Sequence, residues 1–164
     1  AAIREAEVAL SLEAQLTWPR EIIGQALLLL GRADECVEQD LGSHPAIWAI
    51  CLREVGRVEE AEAVIQSTAA AVTEGGGAEV SNLALLRDLT AYAAWTGQTA
   101  QAAQWLEAVF RVSPFGLDYR VLASGIFDRV LEDQTFRSKL EGLQQQAWDR
   151  VFRASLTETP GTTG

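Results

Sequence analysis

Residues 86–114 read LRDLTAYAAWTGQTAQAAQWLEAVFRVSP, and this stretch decides the fold. With Gly97 as a turn glycine, Leu86, Leu89, Thr90 and Ala93 share one face of a helix before it. Ala102, Leu106 and Val109 share one face of a helix after it, and Pro114 stops that second helix. Small residues stand where two antiparallel helices would touch, with larger apolar ones beside them. The stretch is one helix–turn–helix unit with a period of roughly 34 residues.

The same turn occurs twice upstream. GRADEC at 31–36, GRVEEA at 56–61 and GQTAQA at 97–102 each place a small residue five positions after a glycine: Cys36, Ala61 and Ala102. Glycine accepts the left-handed backbone that ends a helix, and the small residue lets the returning helix come close. The turn glycines lie 25 and then 41 residues apart, an average of 33. The first gap is short because Gly42-Ser43-His44-Pro45 cuts a helix early. The second is long because residues 73–81 insert a loop carrying Gly75-Gly76-Gly77.

Further out, residues 2–17 predict a helix with Ile3, Ala6, Leu10 and Ala14 on one stripe, and residues 20–30 predict a second. Residues 117–124 start one more. Residues 134–155 predict a last long helix, with Phe136, Leu140, Leu143, Ala147 and Val151 on a stripe widened by Trp148 and Phe152. Such a helix would cover the open end of a helical stack. The expected fold is all-α: seven or eight helices in antiparallel pairs, stacked in a right-handed superhelix and closed by the C-terminal helix. Residues 1–156 form one domain and 157–164, TETPGTTG, a flexible tail. The chain contains no methionine and opens directly in an amphipathic pattern, so it reads as an N-terminally truncated piece of a longer protein.

Residues 31–114 resemble tetratricopeptide-repeat proteins. The unit at 86–114 fits throughout. The one before it keeps Trp48, Leu52, Gly56, Ala61 and Ile65 but has Pro45 and Thr68 where an apolar and a small residue are usual. The first keeps Ile23, Gly24 and Leu27 but has Asp40 where a large apolar residue belongs. The run Phe127-Asp128-Arg129-Val130, followed by Asp133, Phe136 and Leu140, resembles the ending of helical-repeat regions in bacterial multidomain regulatory proteins. The resemblance implies a non-catalytic protein–protein interaction module with a concave groove lined by the first helix of each pair. Aligned on the repeat, Glu21, Gln25, Arg53, Glu54, Arg87, Ala91 and Trp95 fall on that face. A groove with charges of both signs and one aromatic would hold a peptide segment.

Net charge is −10, which argues against a nucleic-acid or anionic-membrane surface; a basic protein or peptide partner would be steered toward the first two-thirds, although a solvated acidic surface accounts for the charge equally simply. The excess is uneven: −5 over residues 1–42, −4 over 43–114, and balance over 115–156. The longest apolar run, at 26–30, is far too short to span a bilayer, and a cytoplasmic setting is expected. Cys36 and Cys51 on apolar helical faces read as buried free thiols.

Candidate chemistry is thin. His44 between the two cysteines invites a metal reading, but the spacing separates the cysteines onto different helices with no fourth ligand; Ser43 or His44 suits a helix cap instead. Gly75-Gly76-Gly77 lacks the lysine and hydroxyl of a phosphate loop and reads as a flexible connector. Asp128, Glu132 and Asp133 form an acidic cluster, with Asp133 placed to start a helix. Trp18, Trp48, Trp95, Trp105 and Trp148 read mostly as core, with Trp95 near the groove. No catalytic set, cofactor or metal site is expected. The alternative to partner binding is homo-oligomerisation, or a structural spacer, through the broad apolar face of the C-terminal helix.

Overall fold

The turn glycines set the architecture. In the computed structural model, which describes residues 2–13, 16, 18–39, 41–117, 122 and 124–157, Gly31, Gly56 and Gly97 have φ of 69°, 84° and 72°. At each turn the residue after the glycine donates its amide to the carbonyl five residues back. These bonds are Arg32 to Leu27 (2.8 Å), Arg57 to Leu52 (2.9 Å) and Gln98 to Ala93 (2.8 Å). The glycine amide itself reaches the carbonyl three back, in Leu28, Arg53 and Ala94. One cap geometry thus closes three helices, satisfying carbonyls that a helix end leaves unpaired. The small residues five positions on, Cys36, Ala61 and Ala102, are fully buried.

The described residues form nine α-helices and no strand. They are α1 (Ala2–Leu12), α2 (Trp18–Leu29), α3 (Ala33–Val37), α4 (Pro45–Glu54), α5 (Val58–Glu74), α6 (Leu83–Trp95), α7 (Thr99–Val112), α8 (Asp128–Leu131) and α9 (Gln134–Thr157). A single 3-10 turn, Val80–Asn82, precedes α6. The fold is all-α. Helix α1 packs on α2, α4 on α5 and α6 on α7, while α4 and α5 both touch α6 and α9 lies on α7 and α8. Three-residue links between α4 and α5 and between α6 and α7 force each pair to run antiparallel.

The core follows the stripes. Ile50, Leu52, Leu86, Leu89, Leu106, Val109, Phe127, Val130 and Phe136 have at most 1% of their surface exposed. Asp133 starts α9 as its position suggests: its Oδ1 accepts the Phe136 amide at 2.9 Å. The helix count exceeds the expectation because Asp128–Leu131 forms a short helix of its own, α8, ahead of this cap.

Several expectations change. The first helix ends at Leu12, short of residue 17. The helix expected at 117–124 falls mostly on residues outside those described, as does the tail expected at 157–164 except for Thr157, which ends α9 instead. Gly75-Gly76-Gly77 is no slack connector. It is a fourth cap of the same kind, with Gly76 at φ 89° and the Gly77 amide on the Val72 carbonyl at 2.8 Å. Buried Asn82 fastens it, its side-chain amide donating to the carbonyls of Val72, Gly75 and Gly77 at 3.2, 3.0 and 2.8 Å. None of the five tryptophans is fully buried, and Trp18 and Trp148 are 51% and 62% exposed, because no helix among the described residues covers their side of α2 and α9.

The cysteines are buried but not free. Cys36 in α3 and Cys51 in α4 form a disulfide, their Cα atoms 5.9 Å apart. The period places both on inward faces, and packing α3 against α4 brings those faces together within bonding range. The pairing also removes both thiolates from any metal set with His44.

Two outcomes follow from these turns and this bond. Gly97→Ala puts a β-carbon on a left-handed backbone, and should cost about 1–2 kcal/mol, read as a lower urea midpoint with unchanged slope. The bridge closes a loop of 15 residues, so reduction should remove about 3 kcal/mol of stability. A Cys36→Ala, Cys51→Ala variant should unfold at the same urea concentration with or without reductant.

Candidate interaction surface

The residues predicted to line a groove are placed on α2, α4 and α6, and most are held by partners in the same chain. Gln25 donates to Glu21 at 3.0 Å. Arg53 reaches Glu62 of α5 at 3.1 Å, and the Tyr92 hydroxyl donates to the same carboxylate at 2.8 Å. Burial, first, and then that acceptor raise the Tyr92 pKa. Ala91 is buried.

The rest of this face is occupied by residues following α7. Arg87 donates through Nε to the Gly116 carbonyl and through a terminal nitrogen to that of Phe115. Trp95 donates its indole N–H to Glu54 at 2.8 Å, tying α6 to α4. Arg129 of α8 lies 5.6 Å over the Trp95 ring and donates to the Trp95 carbonyl at 2.9 Å, tying α8 to α6. A β-carbon added at Gly125 would stand 3.0 Å from the Leu29 side chain of α2. The described parts of residues 115–129 therefore lie against the two helices, α2 and α6, that carry most of the predicted face. Repeat alignment locates Trp95, Glu54 and Arg87 but gives no sign of Arg129 or of the 115–117 carbonyls as their partners.

Between α2, α4 and α6 sits a polar junction. Asp88 accepts the backbone N–H of Ala46 in the first turn of α4, and His44 Nδ1 stands 3.7 Å from Glu21. Burial, and secondarily the Glu21 charge, raise the Asp88 pKa to about 7, against the lowering effect of the Ala46 amide. A carboxyl of this kind also occurs at catalytic sites, but here its geometry is that of a helix cap supplied by a neighbouring helix. Among the described residues no cluster of three or more His, Cys, Asp or Glu side chains could hold a metal ion.

A second exposed surface runs along α9. On α9, at 100° per residue, Phe136, Leu140 and Ala147 face the core. Trp148 and Phe152 stand on one flank, 62% and 65% exposed. Phe115, itself 58% exposed, meets Trp148 edge to face with ring centroids 6.1 Å apart. On the opposite flank a cleft of about 670 Å³ runs between α7 and α9. A second recess, about 530 Å³ between α4, α5 and the start of α6, is lined by Trp48, Val64, Ala71 and Leu85 without a charged side chain. No helix among the described residues is long and apolar enough to cross a membrane.

Comparison with protein-family models, with curated proteins and with solved structures yields no match to this chain.

The Asp88 environment sets a pH dependence. Its folded pKa is about 7 against an ordinary 3.8, so the folded state holds this proton more tightly than the unfolded state does. This group's contribution is therefore full below pH 3.8 and is lost as pH rises from there through 7, by up to about 4 kcal/mol in all. In Asp88→Asn the fall should vanish, and urea midpoints at pH 5 and pH 8 should come together.

Proposed function

We propose that this chain is a non-catalytic interaction module of a larger regulatory protein, with helix pairs stacked in a right-handed superhelix of the tetratricopeptide type. Three identical glycine caps, each followed by a fully buried small residue, support the repeat reading. So do the paired Arg–Glu clamps at two of them. Arg32 grips Glu35 and Arg57 grips Glu60 through two hydrogen bonds each, 2.5–2.7 Å long, and each lowers its partner's pKa. The same five-residue device at two turns is what a duplicated unit leaves behind.

The working surface is the aromatic edge of Phe115, Trp148 and Phe152. That one observation carries the reading: Phe115 and Trp148, each more than half exposed, meet edge to face, and Phe152, also exposed, stands one helical turn beyond Trp148 on α9. Large aromatic side chains supply much of the energy of protein contacts, and exposed clusters of them mark docking sites. The inner face of α2, α4 and α6, the surface first indicated by the repeat, is the weaker candidate, because Arg87, Trp95 and Glu54 already have partners within the chain.

The aromatic edge also favours a second reading, association of the chain with its own copy through α9. Light scattering across a hundredfold concentration range separates the two: a partner-binding module stays monomeric, and a self-associating one gains mass. For the partner itself, a photoreactive phenylalanine analogue at position 148 of the parent protein in its native cells should crosslink to another protein, whereas one at Glu59 should not. Trp148→Glu removes the edge-to-face contact with Phe115 and should cost about 0.5–1.5 kcal/mol with helicity kept. With Phe152→Glu the crosslink at 148 should be lost. A silent position 148 would sink the aromatic-edge assignment.

A further inference from the structure

The cleft between α7 and α9 gathers cations in this acidic chain. Its charged lining is Arg111, Lys139, Arg150 and Arg153 against Glu107 and Asp149, a local excess of two positive charges in a chain of net charge −10. Lys139 is neutralised by Glu107 across the cleft, and Asp149 accepts from Gln145 at 2.9 Å. Arg150 is held in place by its bond to the Phe110 carbonyl at 2.9 Å. Arg111 and Arg153 are exposed and form no ion pair with any described residue.

We infer that this cleft binds an acidic peptide segment, which names a partner class for the interaction module proposed above and rests on that reading. Shape argues for a peptide. Lys139, Gln146, Arg150 and Arg153 lie along one flank of α9 over 14 residues, about 21 Å at the helical rise. That length suits about six extended residues and is far too long for a single bound ion. The floor is Phe110 and Leu143, so the segment carries apolar side chains between its carboxylates. Width comes from Gly142, where an added β-carbon would meet nothing within 4 Å.

Charge argues for carboxylates. Guanidinium groups take carboxylates through two parallel hydrogen bonds, and a pre-anchored Arg150 loses little freedom in doing so. A nucleic acid or anionic membrane extends well beyond the cleft and would meet the surrounding negative charge, whereas a short acidic segment stays inside the positive patch.

The test is selection of a random 12-residue peptide library on the full chain, with counter-selection on an Arg111→Glu, Arg153→Glu variant of unchanged helicity. Peptides retained by the first and lost by the second should be enriched in Asp and Glu. An individual selected peptide should bind the variant at least tenfold more weakly, and binding to the parent chain should weaken as salt rises. Gly142→Leu, which keeps every charge but fills the cleft, should weaken the same peptide, while Trp148→Glu should not. Discriminating peptides without acidic enrichment, or no peptide that distinguishes the two chains, would overturn the inference. So would an oligothymidylate that competes as well as the selected peptide. Failure here with a persistent crosslink at position 148 would leave the aromatic edge standing and remove only the cleft.

Discussion

A helix that must reverse within three residues has to put one of them in the left-handed region, and only glycine does so without strain. Everything else in this chain depends on that constraint being met three times, at Gly31, Gly56 and Gly97. The reversal sends the next helix back along the one just finished. A side chain larger than alanine or cysteine five residues later would hold the two apart. Once the pair is close, the stripes on α4, α5, α6 and α7 have no choice but to bury against each other, and the core forms between them. The Val72, Gly75 and Gly77 carbonyls, gathered by Asn82, repeat the solution at the end of α5, where the longer connection has to be held as well.

What could be read in advance was whatever leaves a local mark. The turn glycines, the buried alanines after them, the cap at Asp133 and the inward stripe of Phe136, Leu140 and Ala147 are all properties of short windows, and residue type reports them directly. Long-range pairings leave no such mark. Nothing near Cys36 announces Cys51, since their meeting depends on how α3 lies on α4. Nothing near Trp95 announces Arg129, 34 residues away. Periodicity likewise says which stripe is apolar and not what covers it. That is why Trp148 and Phe152 sat on an extended apolar face in sequence yet stand at its open edge in the structure. Of the predicted face, the helices that carry its residues could be read in advance, and the partners those residues have within the chain could not.

Charge is distributed with a similar division. Over the first two-thirds, Glu35, Glu60 and Glu62 are gripped by a neighbouring arginine, and Asp88 caps α4 from within the junction of α2, α4 and α6. The last third reaches balance, and its cations collect along α9. The protein thus has electrostatic polarity along its sequence, and its two flanks at α9 differ in kind: one aromatic, the other ionic. Partners of different chemistry would approach different sides of the same helix without competing.

The Cys36–Cys51 bridge has a consequence for time rather than for equilibrium. Neither cysteine exposes any surface, and thiol–disulfide exchange needs a thiolate to reach a sulfur atom along a straight line of attack. A reductant in solution must wait until α3 swings away from α4. Where that opening is slow, the bond's lifetime no longer depends on how much reductant is present, and measures how often the short helix lets go.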